Sequence, residues 1–307
     1  MRKALLLYNP LSGARRARRL ADVEAAATVL RGAGVEIAIA PTEGPAGSAE
    51  QARQAVARGV DTVFACGGDG TIHDLLQGLA ATQTSLGIIP LGTANTLAHD
   101  LRLPLHPAGA ARASLKATIR RIAVGQVRYQ DFNGSAASRY FTVTVGIGVD
   151  AHLFYRLNAA AKRHFGMTSY YSKATWLWLS HPLEYFSAEI SGSKSEKVSI
   201  SQLLAVRIRH FGGVLRELAP GASLERNDLR LVLFRTRSRM AYLGYIMRGL
   251  VGARWQIGGI ELANAERVEC HAPAPAQRVF VEADGELLGT LPAKISIVPD
   301  ALSLLMP

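Results

Sequence analysis

Cysteine is scarce in this sequence, with only Cys66 and Cys270 among 307 residues. No Cys-x-x-Cys pair occurs and the histidines are not clustered, so neither a disulfide framework nor a zinc site is predicted, and the pattern is typical of a reducing compartment.

Long apolar runs are also missing. The best candidate, residues 240–251, falls short of the ~18–20 residues of a membrane-spanning helix. The apolar run at residues 4–8 stops at Asn9-Pro10, which favours a strand over a signal peptide.

Acidic residues are few, at 24 against 35 lysines and arginines, which leaves a net charge of +11. Such an excess favours an anionic partner, whether a nucleotide, a nucleic acid or an acidic membrane surface. No helix-turn-helix, zinc-finger or aromatic RNA-binding motif supports a nucleic acid, so none is predicted. Charge alone does not choose between the other two.

Strand-like and helix-like segments alternate through the first third of the chain. This alternation predicts right-handed βαβ units on a mainly parallel sheet, with functional loops at the carboxyl ends of the strands. The predicted strands are residues 3–8, 35–40, 61–65 and 85–90, and the predicted helices are 14–31, 48–58 with Ser48 as cap, and 71–81.

After about residue 120 the pattern changes to short β-type segments separated by turns. An antiparallel second domain is therefore predicted, which fits the two-domain prior for a chain of this length. Its predicted strands are residues 140–145, 185–190, 203–208, 229–234, 278–282 and 294–298.

The most informative motif is Gly67-Gly68-Asp69-Gly70-Thr71, which follows an apolar strand and precedes a predicted helix. Backbone without Cβ atoms approaches an anion closely while the aspartate faces the same space, so the loop suits a polyphosphate. An ordinary strand-to-helix turn with Asp69 as helix cap is the alternative. No Walker loop occurs anywhere.

Two further loops follow predicted strands, Asn9-Pro10-Leu11-Ser12-Gly13 and Leu91-Gly92-Thr93-Ala94-Asn95-Thr96. Loops after different strands of one parallel sheet can converge on one ligand. Their joint occurrence therefore strengthens the prediction of a nucleotide site.

In order and spacing, these three loops together with Gly146-Ile147-Gly148-Val149-Asp150, Ala219-Pro220 and Asp284-Gly285-Glu286 resemble the diacylglycerol kinase catalytic-domain family. The resemblance spans nearly the whole chain. It implies an α/β nucleotide-binding domain at 1–125, to which residues 299–307 return, and a mainly antiparallel β-sandwich lipid-acceptor domain at 126–298. The active site is then expected in the cleft between them.

The resemblance also implies ATP and Mg²⁺ as cofactors and a set of site residues. Asp69 is implied as metal ligand, and Asp69, Asp284 and Glu286 as catalytic residues; whether Asp69 or Glu286 is the general base stays open. A β-hairpin turn with solvated acids is the alternative for Asp284 and Glu286. The implied nucleotide-binding residues are Asn9, Pro10, Ser12, Gly13, Gly67, Gly68, Asp69, Gly70, Thr71, Gly92, Thr93 and Asn95.

Two positions depart from the family pattern. Many bacterial relatives carry an aspartate where this chain has Thr96, and another near the position of Ala123. Those acids belong to a metal–water network in such relatives, so the network is not expected intact here. Asp131 is an acid that could compensate for them, but it stands at a different position from the acids of the relatives.

The sequence thus predicts a lipid kinase that transfers the γ-phosphoryl group of ATP to a lipid hydroxyl, with a diacylglycerol-like acceptor. The alternatives are a phosphotransferase similar to NAD kinase and a catalytically weak lipid-binding or regulatory protein. A cytoplasmic location with peripheral contact to an anionic membrane is expected. Basic and aromatic residues mixed between 154 and 178 suit either such contact or a core. The sequence does not identify the acceptor lipid, and it does not decide whether the protein forms a homodimer.

Overall fold

The chain forms two compact units. In the computed structural model, residues 1–13, 16–149, 183–192, 195–212, 217–252, 255–274 and 277–307 are described. The first unit comprises Met1–Val124, His210–Val214 and Val298–Pro307, and the second comprises Gly125–Arg209 and Leu215–Ile297. The predicted basic and aromatic stretch between 154 and 178 lies outside the described residues.

The first unit is built on a parallel sheet in the order β2-β1-β3-β4. Strands β3 and β4 are buried along their whole length, so their near-continuous apolar sequences fit the centre of a sheet covered on both faces. The strands are β1 (Lys3–Tyr8), β2 (Glu36–Pro41), β3 (Thr62–Gly67) and β4 (Ser85–Pro90). The helices are α1 (Arg19–Gly32), preceded by a 3₁₀ turn at Arg16–Arg18, α2 (Pro45–Ala57), α3 (Asp69–Leu79), α4 (Thr96–Asp100) and α5 (Pro107–Lys116).

The last strand of the chain, β15 (Glu286–Met306), contributes its final residues to the first unit. Ser303 and Leu304 pair in parallel with Ser85 and Leu86 of β4. The side chains of Leu302 and Leu304 are fully buried. This segment therefore extends the parallel sheet beside β4.

Helix α2 begins earlier than predicted. It starts at Pro45 after Gly44, whose φ of 86° few other residues adopt, and Ser48 lies inside the first turn with its Oγ donating to the Gly44 carbonyl (2.6 Å). The prediction that Ser48 caps this helix was wrong, because Pro45 supplies the fixed φ and missing N–H that suit a first helical position.

Asp61 ties the beginnings of β1 and β3 together. Its Oδ2 accepts hydrogen bonds from the backbone amides of Arg2 (2.6 Å) and Lys3 (3.1 Å), and its Oδ1 accepts one from the Thr62 hydroxyl (2.9 Å). Partial burial of Asp61 disfavours the charged carboxylate, but these three donors outweigh it and hold the pKa below its ordinary value.

The second unit is mainly antiparallel. One path of paired strands runs β12-β11-β10-β7-β14-β15, while β13 pairs with both β15 and β8, β8 with β9, and β5 with β6. Alternate residues of these strands form one apolar core. The strands are β5 (Thr118–Gln130), which begins in the first unit, β6 (Ala136–Phe141), β7 (Thr144–Gly148), β8 (Phe186–Ser191), β9 (Ser195–Ile200), β10 (Gln202–Val206), β11 (Leu229–Phe234), β12 (Ile260–Ala265), β13 (Arg267–His271) and β14 (Phe280–Ala283).

Among the described residues, the second unit contains one helix, α6 (Arg239–Val251), which was not predicted. The fold class, an α/β unit with a parallel sheet followed by a mainly antiparallel β unit, is confirmed. The single strand predicted over 140–145 was wrong in detail, because β6 ends at Phe141 and β7 begins at Thr144. Among the described residues no helix is long and apolar enough to cross a bilayer.

A buried arginine organises one loop of the second unit. Arg207 is fully buried, and its guanidinium donates to the carbonyls of Leu224 (3.0 Å), Arg226 (2.6 Å) and Asp228 (2.7 Å). Burial lowers the pKa of Arg207 to about 10, so the group remains charged at neutral pH. The three carbonyls satisfy a charge that would otherwise be costly to bury.

Candidate active site

Three loops of the first unit, each following a different parallel strand, meet at two glycines. A Cβ built on Gly68 would lie 3.1 Å from the Cα of Gly92 and 3.5 Å from Ser12 Oγ, and a Cβ on Gly92 would overlap the Cα of Gly68. The Leu91 amide also donates to the Gly67 carbonyl (2.8 Å). The loops after β1, β3 and β4 therefore come together as closely as bare backbone allows.

The first loop, residues 9–13, is shaped by its own side chains. Asn9 Oδ1 accepts a hydrogen bond from the Leu11 amide (2.9 Å), and the Ser12 amide donates to the Asn9 carbonyl (3.2 Å). Gly13 has a φ of 63°, and a Cβ there would stand 2.5 Å from the Leu91 carbonyl oxygen. This position accepts glycine because of both its backbone conformation and its crowding. Pro10 is exposed at the outer side of the turn.

The second loop runs into helix α3, which begins at Asp69 with Gly68 as its N-cap. The Thr71 and Ile72 amides donate to the Gly68 carbonyl (3.0 and 3.3 Å), whereas the amides of Asp69 and Gly70 precede these donors, and amides at such a position of a helix N-terminus can bind an anion. Thr71 is buried against Gly67, so its side chain supports the turn from within. The alternative reading of Asp69 as the cap of α3 was wrong, because Gly68 holds that place.

The third loop is closed by Asn95. Its Oδ1 accepts from the Gly92 amide (2.8 Å) and its Nδ2 donates to the Gly92 carbonyl (3.0 Å). Asn95 is buried and left-handed, with a φ of 51°, a conformation that asparagine tolerates better than most residues. Thr93 is exposed between Gly92 and Asn95.

Asp69 reaches from the second loop to the third. Its Oδ1 accepts a hydrogen bond from the Leu97 amide (3.3 Å), and the Thr96 hydroxyl donates to its Oδ2 (3.4 Å). Both donors lie at the start of helix α4. The carboxylate is therefore fixed beside the glycine backbone, and Thr96, which departs from the family pattern, is one of the groups that fix it.

In the second unit, Asp284 and Gly285 form the turn between β14 and β15, with positive φ angles of 48° and 82°. Asp284 Oδ1 accepts from the amides of Val143 (2.9 Å) and Thr144 (3.0 Å), and its Oδ2 accepts from the Thr142 amide (3.0 Å). Its carboxylate is thus engaged by backbone between β6 and β7. Glu286, the next acid, is exposed after the turn.

Neither Ala123 nor Asp131 belongs to the three loops. Ala123 is buried in β5, and Asp131 Oδ1 accepts from the amides of Asn133 (2.9 Å) and Ser135 (2.8 Å) in the β5–β6 turn, so it takes part in that turn. Within the described ranges no group of three or more His, Cys, Asp or Glu side chains forms a ready metal cage. Mg²⁺ commonly binds through one or two carboxylates plus substrate phosphates, so Asp69 beside an anion-binding helix end fits that mode.

Sequence reasoning missed two supporting residues. Arg19, the first residue of α1, is almost fully buried and donates from Nη2 to the Ser12 carbonyl, which holds the first loop in place. Asp100 of α4 accepts from the His210 amide (2.8 Å), which attaches residues 210–212 to the first unit. Arg19 carried no signal of its own, since it stands among Arg15, Arg16 and Arg18 in the sequence.

Cysteine chemistry is not available at this site. Cys66 lies in β3 directly before the glycine loop, and complete burial raises the pKa of its thiol far above the ordinary value. A thiol that stays protonated is a poor nucleophile. Cys66 is therefore not a candidate nucleophile at this site.

An α/β unit with glycine-lined loops at its strand ends, followed by an antiparallel β unit, is the build of a class of kinases. A crystal structure of a diacylglycerol kinase from Bacillus anthracis has the same fold, with a TM-score of 0.70 at 19% identity, covering 99% of this chain and 97% of that one. A yeast NADH kinase complexed with NADH shares the fold more distantly, with a TM-score of 0.51 at 12% identity, covering 100% and 84%.

The chain belongs to the diacylglycerol kinase family, as its motifs predicted, and is a kinase. The family model "Diacylglycerol kinase catalytic domain" matches residues 3–127, and "YegS C-terminal NAD kinase beta sandwich-like domain" matches residues 143–306. A diacylglycerol kinase of Mycobacterium tuberculosis is 31% identical over 99% of this chain and 95% of its own. One from Bacillus subtilis is 27% identical, over 100% and 97%.

Proposed function

We propose that this protein transfers the γ-phosphoryl group of ATP to the hydroxyl of diacylglycerol. One observation carries the proposal: the Asp69 carboxylate is fixed beside the backbone of Gly68 and Gly92, where three strand-end loops meet. The relatives named diacylglycerol kinase supply the acceptor. In this reaction the hydroxyl oxygen bonds to the γ-phosphorus, the bond to the β-phosphate oxygen breaks, and ADP leaves.

The nucleotide phosphates bind to the glycine loops in this proposal. Amides at the start of α3 and around Gly92 donate to phosphate oxygens, and Asn9, Ser12 and Gly13 line the nucleotide together with Thr93 and Asn95. Phosphoryl transfer demands positioning and neutralisation of charge more than covalent help. A wall of backbone fixed by Asn95 and Arg19 meets that demand, because it has little freedom to lose when the nucleotide binds.

Asp69 is proposed to hold Mg²⁺. A carboxylate beside bound phosphates creates like-charge repulsion, which a divalent cation between them removes. When bound, Mg²⁺ neutralises charge on the phosphate oxygens. The Leu97 amide and the Thr96 hydroxyl keep the carboxylate oriented toward that task.

Glu286 is the proposed general base, which takes the proton of the acceptor hydroxyl. It is exposed, whereas Asp284 is engaged by three backbone amides. We therefore propose a positioning role for Asp284, which holds the turn that carries Glu286. Asp69 remains the other candidate base.

The test is an acceptor panel. Purified protein is incubated with labelled ATP, Mg²⁺ and detergent-dispersed diacylglycerol, monoacylglycerol, phosphatidylglycerol or sphingosine, with NAD as a parallel acceptor. Label on diacylglycerol is expected. Label on NAD and on no lipid would refute the proposal and favour the activity that the yeast NADH kinase structure names.

Two substitutions separate the carboxylates. Asp69→Asn is expected to lower turnover at least about 100-fold, because charge stabilisation at the transferring group is lost while the Leu97 amide keeps an acceptor. Its matched control, Asp300→Asn, makes the same change at an exposed residue of the first unit, whose positive φ asparagine also tolerates. Glu286→Gln should lower turnover while its affinity for ATP stays unchanged. The control Glu266→Gln, at another exposed glutamate of the second unit, should leave turnover unchanged. Equal turnover of Glu286→Gln and wild type would return the base role to Asp69.

A further inference from the structure

Helix α6 presents an apolar face to solvent. Among the described residues, half of the exposed large apolar side chains lie between 240 and 255. Met240 is 74% exposed and Met247 51%, and four more residues share this region: Leu243, Ile246, Val251 and Trp255. Single exposed apolar residues are ordinary on a protein surface, but a concentration of this kind marks an interaction site.

The exposed side chains of α6 form one continuous stripe. At about 100° per residue, positions 240, 243, 246, 247 and 251 fall within an arc of about 140° along the helix. This arc is as wide as the buried face of an ordinary amphipathic helix. Here it points outward.

The opposite face fastens the helix to the sheet of the second unit. The rings of Tyr242 and Tyr245 pack on Phe234 of β11, with centroid distances of 4.5 and 5.1 Å. The hydroxyl groups of Tyr242 and Ser201 lie 2.9 Å apart, and the Tyr245 hydroxyl donates to the Leu218 carbonyl (3.0 Å). The helix therefore already has a buried side, and its apolar stripe is additional to what folding requires.

The charges on and beside the helix indicate its partner. Helix α6 contains two arginines and no aspartate or glutamate; of these Arg248 is buried, and Arg235, before the helix, is already paired with Glu196 and Glu261. Arg237 is exposed just before the helix, and Trp255, with an amphipathic ring of the kind enriched at membrane interfaces, is exposed just after it. An apolar stripe on a helix without acids, flanked by an exposed arginine and an exposed tryptophan, suits anionic lipid headgroups above an acyl layer.

We infer that α6 is the surface by which this protein docks on an anionic lipid bilayer, with its apolar stripe in the headgroup region. A second copy of the chain fits less well, because α6 carries no aspartate or glutamate that could pair with Arg237 of a facing copy. The inference rests on the proposed function only in that a lipid kinase has reason to dock. Binding itself requires neither ATP nor turnover.

The test measures binding to sedimented vesicles of phosphatidylglycerol and phosphatidylcholine without ATP. Met240→Glu/Met247→Glu is expected to weaken binding at least tenfold. The matched control, Leu115→Glu/Ile119→Glu, adds the same two charges to the first unit at residues 37% and 56% exposed, and should bind within twofold of wild type. Met240→Gln/Met247→Gln, which adds no charge, guards against a folding defect and should also weaken binding.

Several results would overturn the inference. Wild-type binding by both α6 variants would do so, as would an equal loss in the control pair or equal wild-type binding to pure phosphatidylcholine. A change from dimer to monomer in analytical ultracentrifugation, with vesicle binding kept, would assign the stripe to a second copy instead.

The kinase reaction separates this inference from the proposed function. With diacylglycerol in vesicles, Met240→Glu/Met247→Glu should lose phosphorylation, whereas with a short-chain diacylglycerol dissolved as monomers it should match wild type. Intact vesicle binding of the wild type without phosphorylation of any lipid would refute the proposed function and leave the docking surface standing. Loss of short-chain turnover in the variant would contradict the assignment of α6 to docking alone.

Discussion

At the residue scale, Asp69 depends on two donors that come from another loop. The Leu97 amide fixes one carboxylate oxygen and the Thr96 hydroxyl the other. Thr96 stands where many relatives carry an aspartate. In the proposed mechanism Asp69 therefore contacts the metal with less negative charge around it. The expected cost is weaker metal affinity, and the gain is a carboxylate that stays oriented.

Replacing Thr96 by valine tests that orientation. Thr96→Val keeps the shape and removes the hydroxyl, and the long 3.4 Å hydrogen bond suggests a loss of about 1 kcal/mol, or about fivefold in turnover. Thr28→Val, on the outer face of α1, is the control. Steady-state turnover at saturating Mg²⁺ is the measurement, and unchanged turnover in Thr96→Val would show that the hydroxyl does not hold Asp69.

Asp61 gives a prediction about pH. The pKa of its carboxyl is lowered in the folded protein, so its contribution to stability is present above the unfolded pKa of about 4 and is lost as pH falls through the folded value. Asp61→Asn should therefore lower the urea midpoint at neutral pH, with the difference from wild type shrinking in acid. A difference that stays constant down to strongly acidic pH would contradict this account.

At the element scale, the site depends on loops without side chains. Gly92→Ala would bring a Cβ onto the Cα of Gly68 and within 2.8 Å of Asn95 Oδ1, so backbone must move in both loops. We expect Gly92→Ala to bind ATP at least about tenfold more weakly, a loss of about 1.4 kcal/mol in binding free energy, as measured by isothermal titration calorimetry. Gly32→Ala, where nothing lies within 4 Å, should bind ATP normally. If Gly92→Ala binds ATP as tightly as wild type, the close approach of Gly68 and Gly92 is not part of the ATP site.

The sequence predicted the parallel strands well because β1, β3 and β4 are apolar runs that end in glycine- or proline-containing loops. It did not predict β5, β9, β12 and β13, which mix charged and apolar residues, as in Ser195–Ile200. Helix α6 was missed because its apolar residues cover both faces, so no buried face stands out in the pattern.

The same limit applied to the candidate site. Glycine motifs marked the three loops, since few other residues fit such backbone. The partners of Asp69 were hidden, because Thr96 and Leu97 lie far from it in sequence and a hydroxyl or an amide carries no motif. Asp284 was expected in catalysis, yet its carboxylate is engaged by amides of residues 142–144, a contact that only the fold brings about.

At the scale of the whole molecule, β5 and β15 each contribute residues to both units, and β15 begins in the second unit and ends in the first. Leu304→Ala should destabilise the first unit by about 2–5 kcal/mol in urea unfolding, as its side chain is fully buried beside β4. Leu20→Ala, an exposed leucine on α1, should cost less than about 0.5 kcal/mol. Equal costs would show that the last strand adds little to this sheet.

The late position of β15 in the chain has a consequence for biosynthesis. A ribosome makes β1 to β4 early, but their sheet neighbour, residues 298–307, emerges only after the whole second unit has been translated. The outer edge of β4 must therefore wait without its partner strand, and unpaired strand edges attract other chains. We conclude that the first unit completes its fold only once residues 298–307 have been made, so a chaperone that covers the β4 edge would raise the yield of native protein.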